Sequence, residues 1–258
     1  MSSVFSTRPP SFSEPEITEI LAAQFGLSGQ SSELYSERDQ NFLIQSNSDQ
    51  KYVLKISNPE ERREILDLQN EATLFIHSQD SNFGVPLQIG EIIEFEKDGQ
   101  TYFVRLIEYL DGQFLKDSTM SDPDHENLGE FLGKLSQSLA GFSHPAADRE
   151  FEWDVRTTNL IKSRLDYLGS ESEKKTVTHF LNEYEKNILP IGNELRMAVI
   201  HNDGNDHNVL INDKGKTTGI IDFGDMVYSY QAAEPAVCMT YVGLEKKDAF
   251  MPIAQVLK

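Results

Sequence analysis

One stretch of the chain concentrates the residues best suited to hold a metal and to move a proton. His201, Asp203 and Asn208 have the spacing H-x-D-x-x-x-x-N, and Asp222 stands where the next run of Val and Ile residues ends. Short apolar runs of this kind are typical of buried strands, and the polar residues at their ends can reach a cleft. Two carboxylates and an amide on adjacent strand ends can hold a divalent cation against a triphosphate while one carboxylate faces an acceptor hydroxyl. The pattern predicts phosphoryl transfer.

Each motif alone also has a simpler explanation, because single Asp and Asn residues in loops usually form turns. Residues 213–216 are expected to be such a turn between the two apolar runs. The two motifs in this order, each with apolar flanks, are harder to explain as turns. We therefore favour the functional interpretation.

The composition is that of a globular protein, and 258 residues are enough for two lobes. A net charge of −19 disfavours nucleic acid and anionic membranes as partners and favours a cationic substrate. No apolar run is long enough to span a membrane, and residues 1–10 lack the pattern of a secretory signal. Cys238 is the only cysteine, which excludes an internal disulfide and a cysteine-rich metal site. These features predict a cytoplasmic protein.

Residues 1–109 are predicted to form a small β-rich lobe. A helix capped by Ser13 is expected to end at Gly26, and a second helix is expected to begin at Asn58, with Pro59 in its first turn. Five antiparallel strands are predicted at residues 33–36, 41–45, 51–57, 88–96 and 101–109, the last two joined by an Asp-Gly turn.

Lys55 and Glu71 are candidates for a functional pair in this lobe. Alternation along the third strand places Lys55 on the opposite face from Leu54 and Ile56. Glu71 lies on the following helix, beside its apolar stripe. An isolated Lys or Glu is usually a solvated surface residue, but this placement upstream of the acidic motif favours a function.

The chain becomes helical in composition after residue 109, where we place the lobe boundary. Helices are predicted over residues 128–139, from about residues 151–154, over residues 171–189 and over residues 231–244, and the strand pair of the acidic motif lies between the last two. Trp153 is expected in the core, as aromatic residues more often are. The predicted fold class is therefore α+β, with a five-stranded antiparallel lobe over residues 1–109 and a mostly helical lobe over residues 110–258.

The two motifs resemble those of the aminoglycoside phosphotransferase and choline kinase superfamily, the small-molecule relatives of protein kinases. The segment HNDGNDHN at 201–208 looks like that family's catalytic loop, and IDFGD at 221–225 looks like its metal-binding segment. The resemblance covers nearly the whole chain. Residues 36–42, 52–57 and 221–228 are most similar to hydroxylysine kinases and to the kinase-like domain that precedes a class-III aminotransferase domain in some bacterial proteins.

The resemblance implies a bilobal protein-kinase-like fold and a role for each matching residue. Asp203 would be the catalytic base, Asn208 and Asp222 would bind Mg²⁺, and His201 would support the loop by packing and hydrogen bonding.

The same resemblance implies the nucleotide contacts. Lys55 would contact the α and β phosphates of ATP or GTP, and Glu71 would hold Lys55 in place. The segment from Glu108 to Leu110 would be the hinge, where backbone groups meet the base.

Departures from the protein kinase pattern favour a small acceptor. Asn202 and Gly204 replace the residues that protein kinases have in H-R-D-L, and the loop around residues 37–40 lacks the G-x-G-x-x-G glycines. The chain stops soon after Asp225, which leaves no room for a peptide-binding region. It also suggests that the chain is part of a longer protein, with a fused C-terminal domain as one possibility.

The leading hypothesis is a kinase that phosphorylates the hydroxyl of a small amine. A hydroxylysine-like acceptor comes first, and aminoglycoside, choline, ethanolamine and homoserine remain alternatives. Asp206, Asp225 and Glu234 are expected to stabilise the ammonium group of this cationic acceptor. The competing hypothesis is a non-catalytic kinase-like module that binds a nucleotide or metabolite and regulates an attached enzyme.

Overall fold

A computed structural model describes residues 7–244 and 246–258. The chain divides into two compact units, Met1–Gly112 and Gln113–Lys258. The expectation of no secretory signal in residues 1–10 falls mostly outside the described residues. Within the described ranges, no helix is long and apolar enough to cross a membrane.

The first unit is built on a five-stranded antiparallel sheet with the strand order β1-β2-β3-β5-β4. The sheet and the helices together confirm the predicted α+β class. The elements are α1 (Glu14–Phe25), β1 (Gly29–Leu34), β2 (Gln40–Ser46), β3 (Lys51–Ile56), α2 (Arg63–Gln79), β4 (Gln88–Lys97) and β5 (Gln100–Glu108).

Helix α1 has the boundaries that its sequence predicts. Ser13 and Glu16 form a capping box, and Gly26 ends the helix in the left-handed conformation with φ of 62°. The buried face of the helix, which includes Ile17 and Ile20, joins one core with the sheet residues Leu54 and Ile56. Helix α1 therefore covers one face of the sheet.

The other face of the sheet carries the cationic side chains. Lys55 on β3 and Arg105 on β5 are directly opposite in the antiparallel register, so they share a face. Both are buried, and the guanidinium of Arg105 donates to Gln69 and Asn70 of α2 at 2.9 and 3.3 Å. Lys55 therefore lies on the face that α2 covers, as alternation predicts.

The predicted start of α2 at Asn58 is wrong, because the helix begins at Arg63. Asn58 is buried and caps a turn instead, where its Oδ1 accepts from the N–H of Glu60 at 3.0 Å. Its backbone N–H donates to Asp39 at 3.0 Å, and its Nδ2 donates to the carbonyl of Arg38 at 3.2 Å. These long-range partners in the β1–β2 loop hold Asn58 outside the helix.

The first strand, predicted at residues 33–36, lies at Gly29–Leu34. It is an edge strand that pairs with β2 along its whole length. Its residues are mostly polar and exposed, so they lack the alternation that would mark the strand in the sequence.

The second unit combines helices with two small antiparallel sheets, in the strand orders β10-β7 and β6-β8-β9. Its helices include three of the four that the sequence predicts. The helix expected from about residues 151–154 is wrong, because those residues form turns and the helix begins only at Thr158. The elements are β6 (Gln113–Phe114), α3 (Asp122–Ser138), α4 (Thr158–Ser163), α5 (Glu171–Asn187), β7 (Met197–Ile200), β8 (Val209–Ile211), β9 (Thr217–Ile220), β10 (Val227–Tyr230), α6 (Ala233–Gly243) and α7 (Phe250–Val256).

Candidate active site

A buried carboxylate fixes the loop that follows β7. Glu234 lies in the first turn of α6 and is only 1% exposed. Its Oε2 accepts hydrogen bonds from the backbone N–H groups of His201 at 2.6 Å and of Asn202 at 3.3 Å. Hydrogen bonds to a charged acceptor are roughly twice as strong as neutral ones. Helix α6 therefore sets the path of the loop where it leaves the strand.

Burial raises the pKa of Glu234 to about 7, and the two N–H groups oppose the rise. Its second oxygen, Oε1, is buried and has no hydrogen-bond partner among the residues that the structure describes. A proton on Oε1 leaves Oε2 able to accept both N–H groups. The loop is therefore anchored in either protonation state.

The imidazole of His201 joins the loop to the segment that carries Asp222. Its Nδ1 accepts from the N–H of Asp203 at 3.2 Å, and its Nε2 lies 3.1 Å from the carbonyl oxygen of Ile221. These partners require the neutral tautomer with the proton on Nε2. Burial lowers the pKa of His201 to about 4, and the ring packs edge-on against Phe223 at 4.6 Å between centroids. His201 is therefore a neutral bridge, in agreement with its expected supporting role.

Two asparagine side chains orient the carboxylate of Asp203. Nδ2 of Asn205 donates to Oδ1 at 2.8 Å, and Nδ2 of Asn208 donates to Oδ2 at 2.7 Å and to the Asp203 carbonyl oxygen at 2.9 Å. Burial raises the pKa of Asp203 to about 7, and the charges of Asp225 and Asp222 add to the rise. A carboxylate that titrates near neutrality is well matched to proton transfer at physiological pH.

Asn208 directly precedes β8, and Asp222 closely follows β9. Because the two strands pair antiparallel, both residues lie at the same end of the pair. The N–H of Ile221 donates to the carbonyl oxygen of Asn208 at 2.9 Å, which continues the antiparallel pairing past the strand ends. Asp222 accepts from the N–H of Gly224 at 3.4 Å. The structure therefore brings together the two residues that were expected to bind metal.

The backbone is unusual at both ends of this site. Asn202 and Asp222 have φ of 68° and 62°, a region that Asn and Asp tolerate better than most L-residues. Among the described residues, the other non-glycine positions with positive φ are Asp49 and Asp98, both in hairpin turns. Strained conformations away from turns persist where the surrounding structure imposes them, as it commonly does at functional sites.

The oxygen ligands that Asn208 and Asp222 offer at this end of the strand pair fit a hard divalent cation. Nδ2 of Asn208 is engaged by Asp203, which directs its amide oxygen away from that carboxylate. Within the described ranges, no three His, Cys, Asp or Glu side chains converge into a metal cage. Mg²⁺ does not need one, because it is usually bound by one or two protein oxygens together with substrate phosphates. A cation would also relieve the repulsion that raises the pKa of Asp203.

A segment that the sequence did not point to contacts both parts of the site. The guanidinium of Arg149 donates to the carbonyl oxygens of Gly224 at 2.9 Å and of Met226 at 2.8 Å. The carbonyl oxygen of Trp153 accepts from Nδ2 of Asn202 at 3.4 Å. The expectation that Trp153 is a core residue is wrong, because 63% of its surface is exposed.

The acidic residues expected to bind an acceptor ammonium occupy different environments. Asp225 is near enough to Asp203 to raise its pKa, and Asp206 accepts from the ring of His207 at 3.0 Å. Burial raises the pKa of Tyr241 on α6, and the charges of Asp203 and Asp206 add to the rise. Tyr241 is thus a protonated hydroxyl beside the acidic loop, which the sequence did not single out. Glu234, in contrast, lies under the loop.

The candidate nucleotide contacts belong to the first unit. Lys55 lies on the face of the sheet that α2 covers, and Glu71 is an exposed residue of α2. The N–H of Glu108 donates to the carbonyl oxygen of Leu87 at 2.9 Å, so that amide is engaged within the unit. Leu110 is half-buried in the segment that follows. Their roles toward a nucleotide stay predictions.

A family model described as the phosphotransferase enzyme family, APH, matches residues 33–254. The match extends over far more than half of the chain. The chain belongs to this family. It is a small-molecule kinase, a phosphotransferase that acts on a hydroxyl group, and the resemblance inferred from its motifs is confirmed.

This phosphotransferase is similar to hydroxylysine kinases. It is 29% identical to the hydroxylysine kinase of Xenopus laevis over 93% of this chain and 72% of that protein. It is 25% identical to the hydroxylysine kinase of Mus musculus over 93% of this chain and 71% of that protein.

Solved structures of small-molecule kinases share its fold. An amicoumacin kinase in complex with AMP-PNP, Ca²⁺ and Ami superposes with a TM-score of 0.72 at 14% identity, over 95% of this chain and 76% of that one. A microcompartment-associated aminopropanol kinase gives a TM-score of 0.64 at 15% identity, over 93% of this chain and 94% of that one. These likenesses confirm the predicted bilobal, protein-kinase-like fold.

The raised pKa of Glu234 predicts a pH-dependent stability for this phosphotransferase. Between about pH 4.5 and 7 the folded chain holds a proton that the unfolded chain releases, so the free energy of unfolding falls as pH rises through this window. Glu234→Gln removes this titration. We expect the free energy of unfolding, measured with urea at about pH 5 and about pH 8, to fall less in Glu234→Gln than in the parent. The two falls should differ by on the order of 2 kcal/mol.

Glu19→Gln is the matched control, because Glu19 is an exposed residue of α1. It should keep the fall seen in the parent. An equal fall in the parent and in Glu234→Gln would show that Glu234 is not the buried titrating group described here.

Proposed function

We propose that this phosphotransferase transfers the γ-phosphoryl group of ATP or GTP to the hydroxyl of a small amine-bearing metabolite, with a hydroxylysine-like acceptor favoured. The observation that carries the proposal is the carboxylate of Asp203, which Asn205 and Asn208 orient within an acidic loop. We also propose the cytoplasm as the compartment, as the composition suggests.

Asp203 is proposed as the base that takes the proton of the acceptor hydroxyl. One asparagine N–H occupies a lone pair on each carboxylate oxygen, so each oxygen keeps another lone pair for the hydroxyl. The acceptor oxygen forms a bond to the γ-phosphorus, the bridging bond to the nucleoside diphosphate breaks, and the hydroxyl proton passes to Asp203. Positioning and neutralisation of charge supply most of the acceleration in such a transfer.

Asn208 and Asp222 are proposed to hold Mg²⁺ together with the nucleotide phosphates. When bound, the cation neutralises charge on the phosphate oxygens. Asn208 contributes its amide oxygen, because its Nδ2 is engaged by Asp203. One residue therefore orients the base and binds the metal.

The first unit is proposed to supply the nucleotide contacts. Lys55 contacts the α and β phosphates, and Glu71 positions Lys55. The segment from Glu108 to Leu110 receives the base. Because the N–H of Glu108 is engaged by Leu87, we expect this contact to use the carbonyl oxygen of Glu108 and the backbone of Leu110.

Two observations support an amine-bearing acceptor, namely the acidic residues of the site and the sequence similarity to hydroxylysine kinases. Asp203 and Asp206 in the loop and Asp225 in the neighbouring segment make the site acidic in a chain whose net charge is −19, and an acidic surface attracts an ammonium group. The similarity to hydroxylysine kinases favours hydroxylysine over aminoglycosides, choline, ethanolamine and homoserine. The non-catalytic alternative gains no support from the site, since Asp203 is oriented as a base would be.

A panel of acceptors tests this proposal. Hydroxylysine, ethanolamine, choline, homoserine and an aminoglycoside are assayed for nucleotide turnover, with neutral polyols of matched size as controls. We expect kcat/KM for the preferred amine to exceed that of the polyols by roughly 10-fold or more and to fall as salt is added.

Asp203→Asn should lower kcat by about 10²- to 10⁴-fold, with nucleotide affinity nearly unchanged.

Asp213→Asn is the matched control, because Asp213 is exposed in the turn between β8 and β9. It should behave as the parent. Polyols phosphorylated as well as amines would exclude an amine-selective acceptor site and leave the kinase reaction in place. A kcat for Asp203→Asn equal to that of the parent would exclude Asp203 as the base.

The metal assignment makes a separate prediction about binding. Mg²⁺ should tighten nucleotide binding to the parent, and Asp222→Ala should lose most of that gain because it removes a carboxylate ligand. Titration calorimetry with a non-hydrolysable nucleotide, with and without Mg²⁺, measures the effect without turnover. Equal affinities in the parent under the two conditions would contradict the assignment.

A further inference from the structure

An exposed tryptophan belongs to a segment whose backbone contacts the loop that carries the proposed base. Trp153 is the only tryptophan of the chain, and 63% of its surface is exposed. Its carbonyl oxygen accepts from Nδ2 of Asn202, the residue before Asp203. The backbone of Trp153 therefore contacts the residue directly before Asp203, whose Cα lies about 3.8 Å along the chain.

Buried polar contacts fix the backbone that presents Trp153. The next residue, Asp154, is 5% exposed, and its Oδ1 accepts from the hydroxyl of Ser229 at 2.6 Å. Its Oδ2 accepts from Nε of Arg156 at 2.7 Å, and the same guanidinium donates to the carbonyl oxygen of Tyr228 at 2.7 Å. A buried carboxylate is costly unless it is paired in this way. The network ties the segment of Trp153 to β10.

The residues on the other side of Trp153 are fixed as well. Phe151 is buried in a core cluster with Ile200 of β7 and Val227 of β10. Arg149 binds the carbonyl oxygens of Gly224 and Met226. Trp153 is therefore an exposed ring on a segment that is anchored before and after it, and such a ring loses little conformational entropy when a ligand covers it.

The region that the segment contacts is acidic. Asp203 and Asp206 lie in the loop, and Asp225 lies near enough to Asp203 to raise its pKa. The anchored segment carries two cations, and both are engaged: Arg156 is paired with Asp154, and Arg149 donates to the carbonyl oxygens of Gly224 and Met226. The face of an indole attracts ammonium groups more strongly than the face of any other side chain.

We propose that Trp153 forms the aromatic wall of the acceptor site and receives the ammonium group of the acceptor on its face. This rests on the function proposed above and adds a residue that determines specificity for the amine. The acidic residues supply the long-range attraction, and the face of Trp153 supplies a short-range contact that holds the ammonium group equally in the ground state and in the transition state. A neutral analogue would lose the interaction with the ring.

The single tryptophan allows a direct test that does not depend on turnover. Indole emission is followed while the full chain is titrated with hydroxylysine, and with a derivative acetylated on both amino groups, which carries no ammonium group, as the control. We expect a saturable change with hydroxylysine whose midpoint agrees with its KM. The acetylated derivative should give a change only at concentrations roughly 10-fold higher or more.

Substitutions separate the aromatic face from apolar bulk. Trp153→Leu should raise the acceptor KM by about 5- to 30-fold with kcat and the nucleotide KM nearly unchanged, and Trp153→Phe should have an intermediate effect. Phe250→Ala, at another exposed aromatic residue in α7, is the control and should match the parent.

The outcomes distinguish this proposal from the one on which it rests. If an amine of the panel is phosphorylated but saturating amine leaves the emission unchanged, or Trp153→Leu keeps the parent's acceptor KM, the role of Trp153 is overturned and the kinase function stands. If no amine of the panel is phosphorylated, both proposals fall.

Discussion

The geometry of the candidate site depends on one buried interaction, the placement of a neutral imidazole between two backbone groups. His201 accepts from the N–H of Asp203 and donates to the carbonyl of Ile221. It thereby joins a loop that leaves one small sheet to a segment that leaves another, since β7 pairs with β10 and β8 pairs with β9. Because the ring is fully buried, losing one of these bonds would leave a polar group without water, at a cost of about 1–3 kcal/mol.

The carboxylates that these backbone contacts hold in place repel one another. Asp203, Asp222 and Asp225 are close enough for the last two to raise the pKa of the first. Such repulsion destabilises the protein on its own, and a bound cation would reduce it. Asn208 links the two roles, because its Nδ2 orients Asp203 while its carbonyl oxygen pairs with the segment that leads to Asp222. Because the backbone contacts hold these three carboxylates close together, the site favours the binding of cations.

The sequence predicts well what local interactions determine. The capping box at Ser13, the left-handed Gly26 and the Asp98-Gly99 hairpin all follow from residues within a few positions of one another. The proximity of Asn208 and Asp222 follows from pairing of adjacent strands. The family could also be recognised from the sequence, because each of its two motifs is short and contiguous.

Long-range partners account for what the sequence did not reveal. Asn58 has a good helix-capping pattern, but its partners Arg38 and Asp39 are about twenty positions away and draw it into a different turn. Glu234 was expected to face an acceptor, whereas its position under the loop follows from backbone N–H groups more than thirty residues earlier. The exposure of Trp153 likewise depends on tertiary contacts of its neighbours. No local pattern encodes such pairings.

The protonation state of His201 is the most direct test of the neutral imidazole bridge. The chain has six histidines, so ¹⁵N spectra of the parent and of a His201→Asn variant are needed to assign its signals. We predict that His201 stays in the neutral tautomer with its proton on Nε2 from about pH 5 to pH 8, because its pKa is about 4. Titration with a midpoint near 6.5, or a proton on Nδ1, would contradict the account, because the imidazole could then not bridge Asp203 and Ile221.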